Sequence, residues 1–166
     1  MYQLTLIRHA KSSWEEAGQK DFDRPLNARG KRDAPLMAQW AAQHLLKPGL
    51  LVSSPALRAQ TTARVFAAVL DMNDTRLRLE PGIYEASADK LLSILQSLNT
   101  RRQQVMLFGH NPGISELAHR LGECPFDELS TCALANFSLD VSRWAEIADG
   151  CGKLLHHITP KMLRQD

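Results

Sequence analysis

Leu4-Thr5-Leu6-Ile7 is an apolar run that stops on Arg8 and His9, followed by the small or polar residues Ala10 to Ser13. Taken alone, the pair could simply cap a strand edge. Two other stretches have the same form, however. Leu50-Leu51-Val52 leads through Ser53-Ser54-Pro55 into a segment that carries Arg58, and Val105 to Phe108 leads into Gly109-His110. Two arginines and two histidines in one crevice would suit a dianion, most simply a phosphoryl group. A neutral imidazole nitrogen can attack phosphorus directly, and the ordinary histidine pKa of about 6.5 leaves much of it neutral near pH 7. Its other ring nitrogen must be held by an acceptor so that the attacking lone pair is free. The product would be a covalent phosphohistidine, later hydrolysed by water. Charge on the transferring group would be held by Arg8, Arg58 and His110. Guanidinium groups do the neutralising, so this chemistry calls for no metal and no cofactor.

For these residues to meet, the apolar runs must be neighbouring strands. Tyr2–Ile7, Leu50–Val52 and Val105–Phe108 read as short buried strands. Helical spacing of apolar residues predicts helices over Ala28–Leu46, Ala56–Leu70, Asp89–Leu98 and Ile114–Leu121. Lys11 to Asn27 reads as a polar loop with room for one helical turn, and Leu77–Leu79 as a brief extended piece. Ala133–Leu139 and Leu154–Thr159 are late strands that could pair antiparallel, with a helical turn at Trp144–Ile147 between them. The alternation argues for an α/β fold: a mostly parallel, mixed sheet between helical layers, a three-layer α/β/α sandwich. In such sheets ligands sit outside the carboxyl ends of the strands, where Arg8, His9, Arg58 and His110 would gather.

The chain of 166 residues is read as a single domain, residues 1–166, with 44% apolar and 23% charged residues. Its net charge of +2 suggests neither a nucleic-acid nor a membrane partner. Three cysteines, none in a CxxC pair, argue for a reducing cytoplasm over a disulfide framework. No apolar run is long enough to span a bilayer, and the first ten residues do not make a secretory signal. His156 and His157 are adjacent on a strand, point to opposite faces and so make a poor metal pair. Trp14 is close enough to His9 in sequence to border the site.

Leu6-Ile7-Arg8-His9-Ala10 resembles the RHG signature of the histidine phosphatase, or phosphoglycerate mutase-like, superfamily. SSPALRAQTTA (53–63) resembles its second motif and FGHNPG (108–113) its third, in the family's order. The stretches RHAKSSW and DFDRPLNARG resemble the SixA-type protein-phosphohistidine phosphatases in particular. The resemblance implies His9 as the nucleophile, with Arg8, Arg58 and His110 completing the phosphate pocket. It implies Arg24, in DRPL, as a further phosphate contact, although an arginine there could also simply pair with Asp21 or Asp23. Asn111, in GHNPG, is expected to contact the substrate. Glu85, in IYEAS, sits where many members carry the general acid. Ala10 replaces the usual glycine, and Glu15 stands where mutase-type members have asparagine, which speaks against mutase chemistry.

The expected function is therefore hydrolysis of a phosphoryl group through phosphohistidine. The expected substrate is a phosphorylated partner protein such as a histidine phosphotransfer domain, because few residues remain for a lid over the pocket. A small phosphomonoester is the alternative, favoured if Glu85 acts as an acid, since an ester oxygen leaves badly unprotonated. A silent phospholigand-binding module is a third reading, and the intact Arg8, His9, Arg58 and His110 set speaks against it.

Overall fold

A computed structural model describes residues 1–14 and 18–164. Six strands form one sheet: β1 (Tyr2–Arg8), β2 (Leu50–Ser53), β3 (Leu77–Leu79), β4 (Gln104–Gly109), β5 (Leu134–Leu139) and β6 (Gly152–Ile158). Their order is β3-β2-β4-β1-β5-β6. The first four run parallel, and β5 and β6 add an antiparallel edge. The sheet is thus mixed and mostly parallel, as expected.

Both faces of the central strands are covered, which explains their near-continuous apolar sequences. Leu4 and Leu6 of β1 point to one face, where they join α3 (Ala88–Gln96) and α4 (Gly113–Leu121) in a core with Leu107 and Phe137. Ile7 points to the other, where α1 (Ala28–His44) and α2 (Leu57–Val69) pack through Met37, Ala38 and Phe66. The period-two alternation of β1 therefore decides which helical pair each side chain meets. A short α5 (Pro160–Leu163), absent from the sequence reading, returns the chain to α1. Arg164 there donates to the fully buried carboxylate of Asp33, which Arg29 also approaches at 3.5 Å.

The strand register sets the functional edge. Arg8 lies opposite Gly109, and Ser53 opposite Phe108. One residue further on, His9 N–H donates to the Gly109 carbonyl at 3.1 Å and Ser54 N–H to the Phe108 carbonyl at 3.1 Å. The carboxyl ends of β1, β2 and β4 are thereby level, and His9, Ser54 and His110 leave the sheet side by side.

The chain after His9 is held by the start of α1. Asn27 N–H donates to the Lys11 carbonyl and Ser13 N–H to the Pro25 carbonyl, with a bridge between Ser12 and Leu26. The long polar loop thus closes on itself and carries Arg24 back beside the first strand. Asn27 caps α1 by accepting from Gly30 N–H at 2.9 Å. A Cβ on Gly30 would lie 2.2 Å from the Lys11 carbonyl oxygen. Gly30→Ala is therefore expected to cost about 3 kcal/mol of stability, as forced overpacking against fixed backbone does. Denaturant unfolding of the two proteins checks this.

The two late histidines behave as the alternation requires. His156 meets Trp40 of α1, while His157 packs on Phe126 across the sheet. The described residues contain no cluster of metal-ligating side chains, and no helix long and apolar enough to cross a membrane.

Candidate active site

At the level carboxyl ends lies a cavity of about 330 Å³ lined by Arg8, His9, Arg24, Arg58, His110 and Asn111, with Trp14 at its border. Six of the seven site residues read from the sequence therefore meet. The seventh, Glu85, does not line the cavity. It is exposed on a turn with φ 58°, and it is its neighbour Tyr84 that packs edge-on against His110, ring centroids 5.6 Å apart. Glu15 lies outside the described residues.

His9 is nearly buried, and its Nδ1 lies 2.8 Å from the Ala10 carbonyl oxygen. A carbonyl only accepts, so Nδ1 carries the proton and Nε2 presents its lone pair. That Nε2 receives the Nε–H of Arg58 at 3.4 Å. The backbone that bears it is also held: Ala10 N–H donates to Thr62 Oγ1, which donates in turn to the Arg58 carbonyl at 2.8 Å. Thr62 therefore couples the loop after β1 to the first turns of α2. Burial pushes the His9 pKa down to about 3, and the nearby His110, Arg58 and Arg8 push the same way against the Ala10 carbonyl. At neutral pH the ring is a neutral base.

His110 sits with its ring centroid 5.2 Å from that of His9, and its Nε2 is 2.8 Å from Ser54 Oγ. Burial, then the Arg58 charge, lowers its pKa to about 4. Arg8 donates from Nη1 to the Leu129 carbonyl at 3.0 Å. Asn111 spends its amide on the same loop, donating to the Leu129 carbonyl at 2.9 Å and accepting from Ser115 Oγ. Ser115 Oγ in turn accepts the Leu129 N–H. Asn111 thus lines the cavity while bracing the 129 loop that orients Arg8.

Arg24 is 7% exposed. Its guanidinium carbon lies 3.4 Å from the centre of the Trp14 ring, a cation–π contact, and it donates to Ser12 Oγ. It does approach Asp21, at 3.5 Å, as the plainer sequence reading allowed, yet it also lines the cavity. Three buried nitrogens of the cavity residues have no partner among the described residues: Arg8 Nε, Arg24 Nε and His110 Nδ1. Unpaired buried donors are costly in a protein without a role for them. Grouped here, they form a donor set suited to a tetrahedral oxyanion.

Sequence reasoning passed over Ser54, Thr62 and Tyr84, and it saw Asp21 only as a possible partner of Arg24. Ser54 and Thr62 lie inside the second motif, where small polar residues look like turn and helix filler. Tyr84 and Asp21 are separated by 63 residues, and Tyr84 O–H donates to Asp21 Oδ2 at 2.6 Å. Only the fold brings the pair together.

An anion pocket around a neutral, backbone-oriented histidine on a parallel sheet edge defines a phosphoryl-transfer hydrolase. Residues 4–94 match the model of the histidine phosphatase superfamily, branch 1, and the chain belongs to that family as a phosphatase. An uncharacterized chloroplastic protein of Arabidopsis thaliana is 31% identical over 152 residues, covering 87% of this chain and 69% of its own. The structure of the protein histidine phosphatase SixA complexed with tungstate is similar at 26% identity and TM-score 0.81, covering 98% of this chain and 99% of that one. A phosphoserine phosphatase of Entamoeba histolytica shares the fold, at 18% identity and TM-score 0.68 over 99% of this chain and 100% of that one.

Proposed function

We propose that the chain removes the phosphoryl group from phosphohistidine on a partner protein, with His9 as nucleophile. The observation that carries this is His9 itself: Nδ1 is tied to the Ala10 carbonyl, and Nε2 presents its lone pair to the cavity, met there only by a long 3.4 Å contact from Arg58, among Arg8, Arg58 and His110. Nε2 attacks phosphorus as the P–N bond to the substrate imidazole breaks, and the departing ring keeps the electron pair and a proton taken from solvent. Water then attacks the phosphorus on His9, restoring the neutral ring and releasing phosphate. Arg8, Arg58, Arg24 and His110 hold the equatorial oxygens throughout. Because His9 has a pKa of about 3, its nucleophilic form persists from pH 8 to pH 5.

Two features support a phosphoramidate over an ester. No carboxylic acid is among the described residues lining the cavity, and Glu85 is an exposed residue outside it. An alkoxide needs such a donor, whereas an imidazole can be protonated before it leaves. The cavity is also bordered by the exposed Trp14, at 72%, with Phe22 and Tyr84 packed edge to face nearby, a surface suited to another protein. The relevance of SixA, a protein histidine phosphatase, to this chain rests on these features. The test compares kcat/KM for a phosphorylated histidine phosphotransfer domain with that for alkyl phosphomonoesters. The phosphoprotein is expected to win by about 100-fold or more, the size of a typical general-acid contribution. Faster turnover of an alkyl ester would move the assignment to small phosphomonoesters.

A further inference from the structure

The cavity's guanidiniums are not left to the substrate alone. Arg58 donates from Nη1 to the Asp21 main-chain carbonyl at 2.7 Å and from Nη2 to Asp21 Oδ2 at 3.0 Å. Arg24 Nη1 lies 3.5 Å from the other carboxylate oxygen, Oδ1. The Asp21 side chain is 43% exposed, whereas the side chains of Arg24 and Arg58 are each 8% exposed. The carboxylate is therefore the movable, solvent-side partner, and the arginines are the fixed ones. Tyr84 gives it a second anchor, O–H to Oδ2 at 2.6 Å, with the Tyr84 ring wedged edge-on between Phe22 and His110. Burial draws the Asp21 carboxyl upward, but the Tyr84 hydroxyl and the two guanidiniums together hold it below its usual range. It is an anion at neutral pH. The same bond pushes the Tyr84 hydroxyl up to about 12, so Tyr84 remains a donor.

We propose that Asp21 is an internal counter-ion that competes with the phosphoryl group for Arg58 and Arg24, and so sets how tightly the pocket holds phosphate. This rests on the phosphate-pocket reading above. Arg8, Arg24, Arg58 and Lys11 all line the cavity, an excess of positive charge over what a dianion brings. Unopposed, that excess would retain the product as well as bind the substrate, which lowers turnover without aiding chemistry. A carboxylate on the outer edge of Arg58 weakens both, and the Tyr84 hydroxyl gives it somewhere to go when an oxyanion arrives. Asp21 is thus a positioning and charge-balancing residue rather than a reacting one.

Asp21→Asn isolates the charge. The main-chain bond to Arg58 remains, and the amide oxygen can still accept from Arg58 and Tyr84. Calorimetric titration with inorganic phosphate at pH 7 and fixed salt reads the effect directly. Asp21→Asn is expected to bind phosphate about tenfold more tightly than the wild type, the scale of one unit charge acting on a dianion across a few ångströms near solvent. Tyr84→Phe should move affinity the other way, severalfold weaker, because the carboxylate then pairs more fully with Arg58. Equal or weaker binding by Asp21→Asn would overturn the proposal and reduce Asp21 to a structural support for Arg58. Should that variant not fold, equal or tighter binding by Tyr84→Phe overturns it equally. If folded wild type binds no phosphate at all, the phosphate-pocket reading itself fails and the proposal falls with it.

Discussion

His9→Ala should lower turnover of any phosphorylated substrate by on the order of 10⁴-fold while leaving the protein folded. The side chain contributes one short bond to the Ala10 carbonyl, a long 3.4 Å contact from Arg58 and an aromatic contact to His110, so its removal deletes chemistry and little packing. The arginines remain, and phosphate binding should survive within a fewfold. That split is informative. A loss confined to turnover marks His9 as the atom that forms a bond to phosphorus. Equal losses in binding and turnover would mean that His9 is only a fifth member of the anion clamp. Steady-state kinetics beside a phosphate titration separates the two.

The second large effect is on stability against pH. His9 and His110 are held at about 3 and about 4, while in the unfolded chain each takes a proton near the ordinary value of about 6.5. Between these values the unfolded state binds more protons than the folded one. Stability therefore rises with pH through this window and is lost as pH falls below about 6.5, by about 1.4 kcal/mol per pH unit for each group. Moving from pH 7 to pH 5 should cost roughly 4 kcal/mol through the two rings together. In His9→Asn about half of that loss should vanish, so the variant gains relative stability in acid. Urea unfolding at the two pH values measures it. Identical acid losses in wild type and His9→Asn would show that the ring is not held neutral by its surroundings.

Much of this arrangement is readable before folding, and the reason is local. A parallel strand buried on both faces must be apolar throughout, so a polar residue at its end announces the edge of the sheet. Arg8-His9, Ser53-Ser54 and Gly109-His110 each announce one. The register then puts them level, which composition could not have fixed but alternation of strands and helices implies. Glu85 shows the limit. Its position in IYEAS is one residue from Tyr84, and in a turn with positive φ at Glu85 the carboxylate is left exposed while the phenol bonds Asp21 and packs on His110. No periodicity marks such a turn.

Asp21 and the Leu129 loop were illegible for a related reason. Asp21 reads as no more than a possible partner for Arg24 until a 3₁₀ turn at Asp21–Asp23 carries it over Arg58 of α2. The segment around Leu129 belongs to no strand or helix, yet its carbonyl takes both Arg8 and Asn111. Backbone acceptors leave no trace in residue type. The C-terminal clasp of Arg164 on Asp33 spans 131 residues and is equally invisible from spacing.

The central claim is the bond between His9 and phosphorus, and it can be weighed. Wild-type protein and His9→Ala are mixed briefly with excess phosphoramidate, quenched without acid, and their intact masses recorded. Wild type is expected to gain the mass of one phosphoryl group transiently, as phosphate is released, and His9→Ala is expected to gain none. A phosphoryl adduct of equal yield in folded His9→Ala, or phosphate release from it at the wild-type rate, would contradict the account.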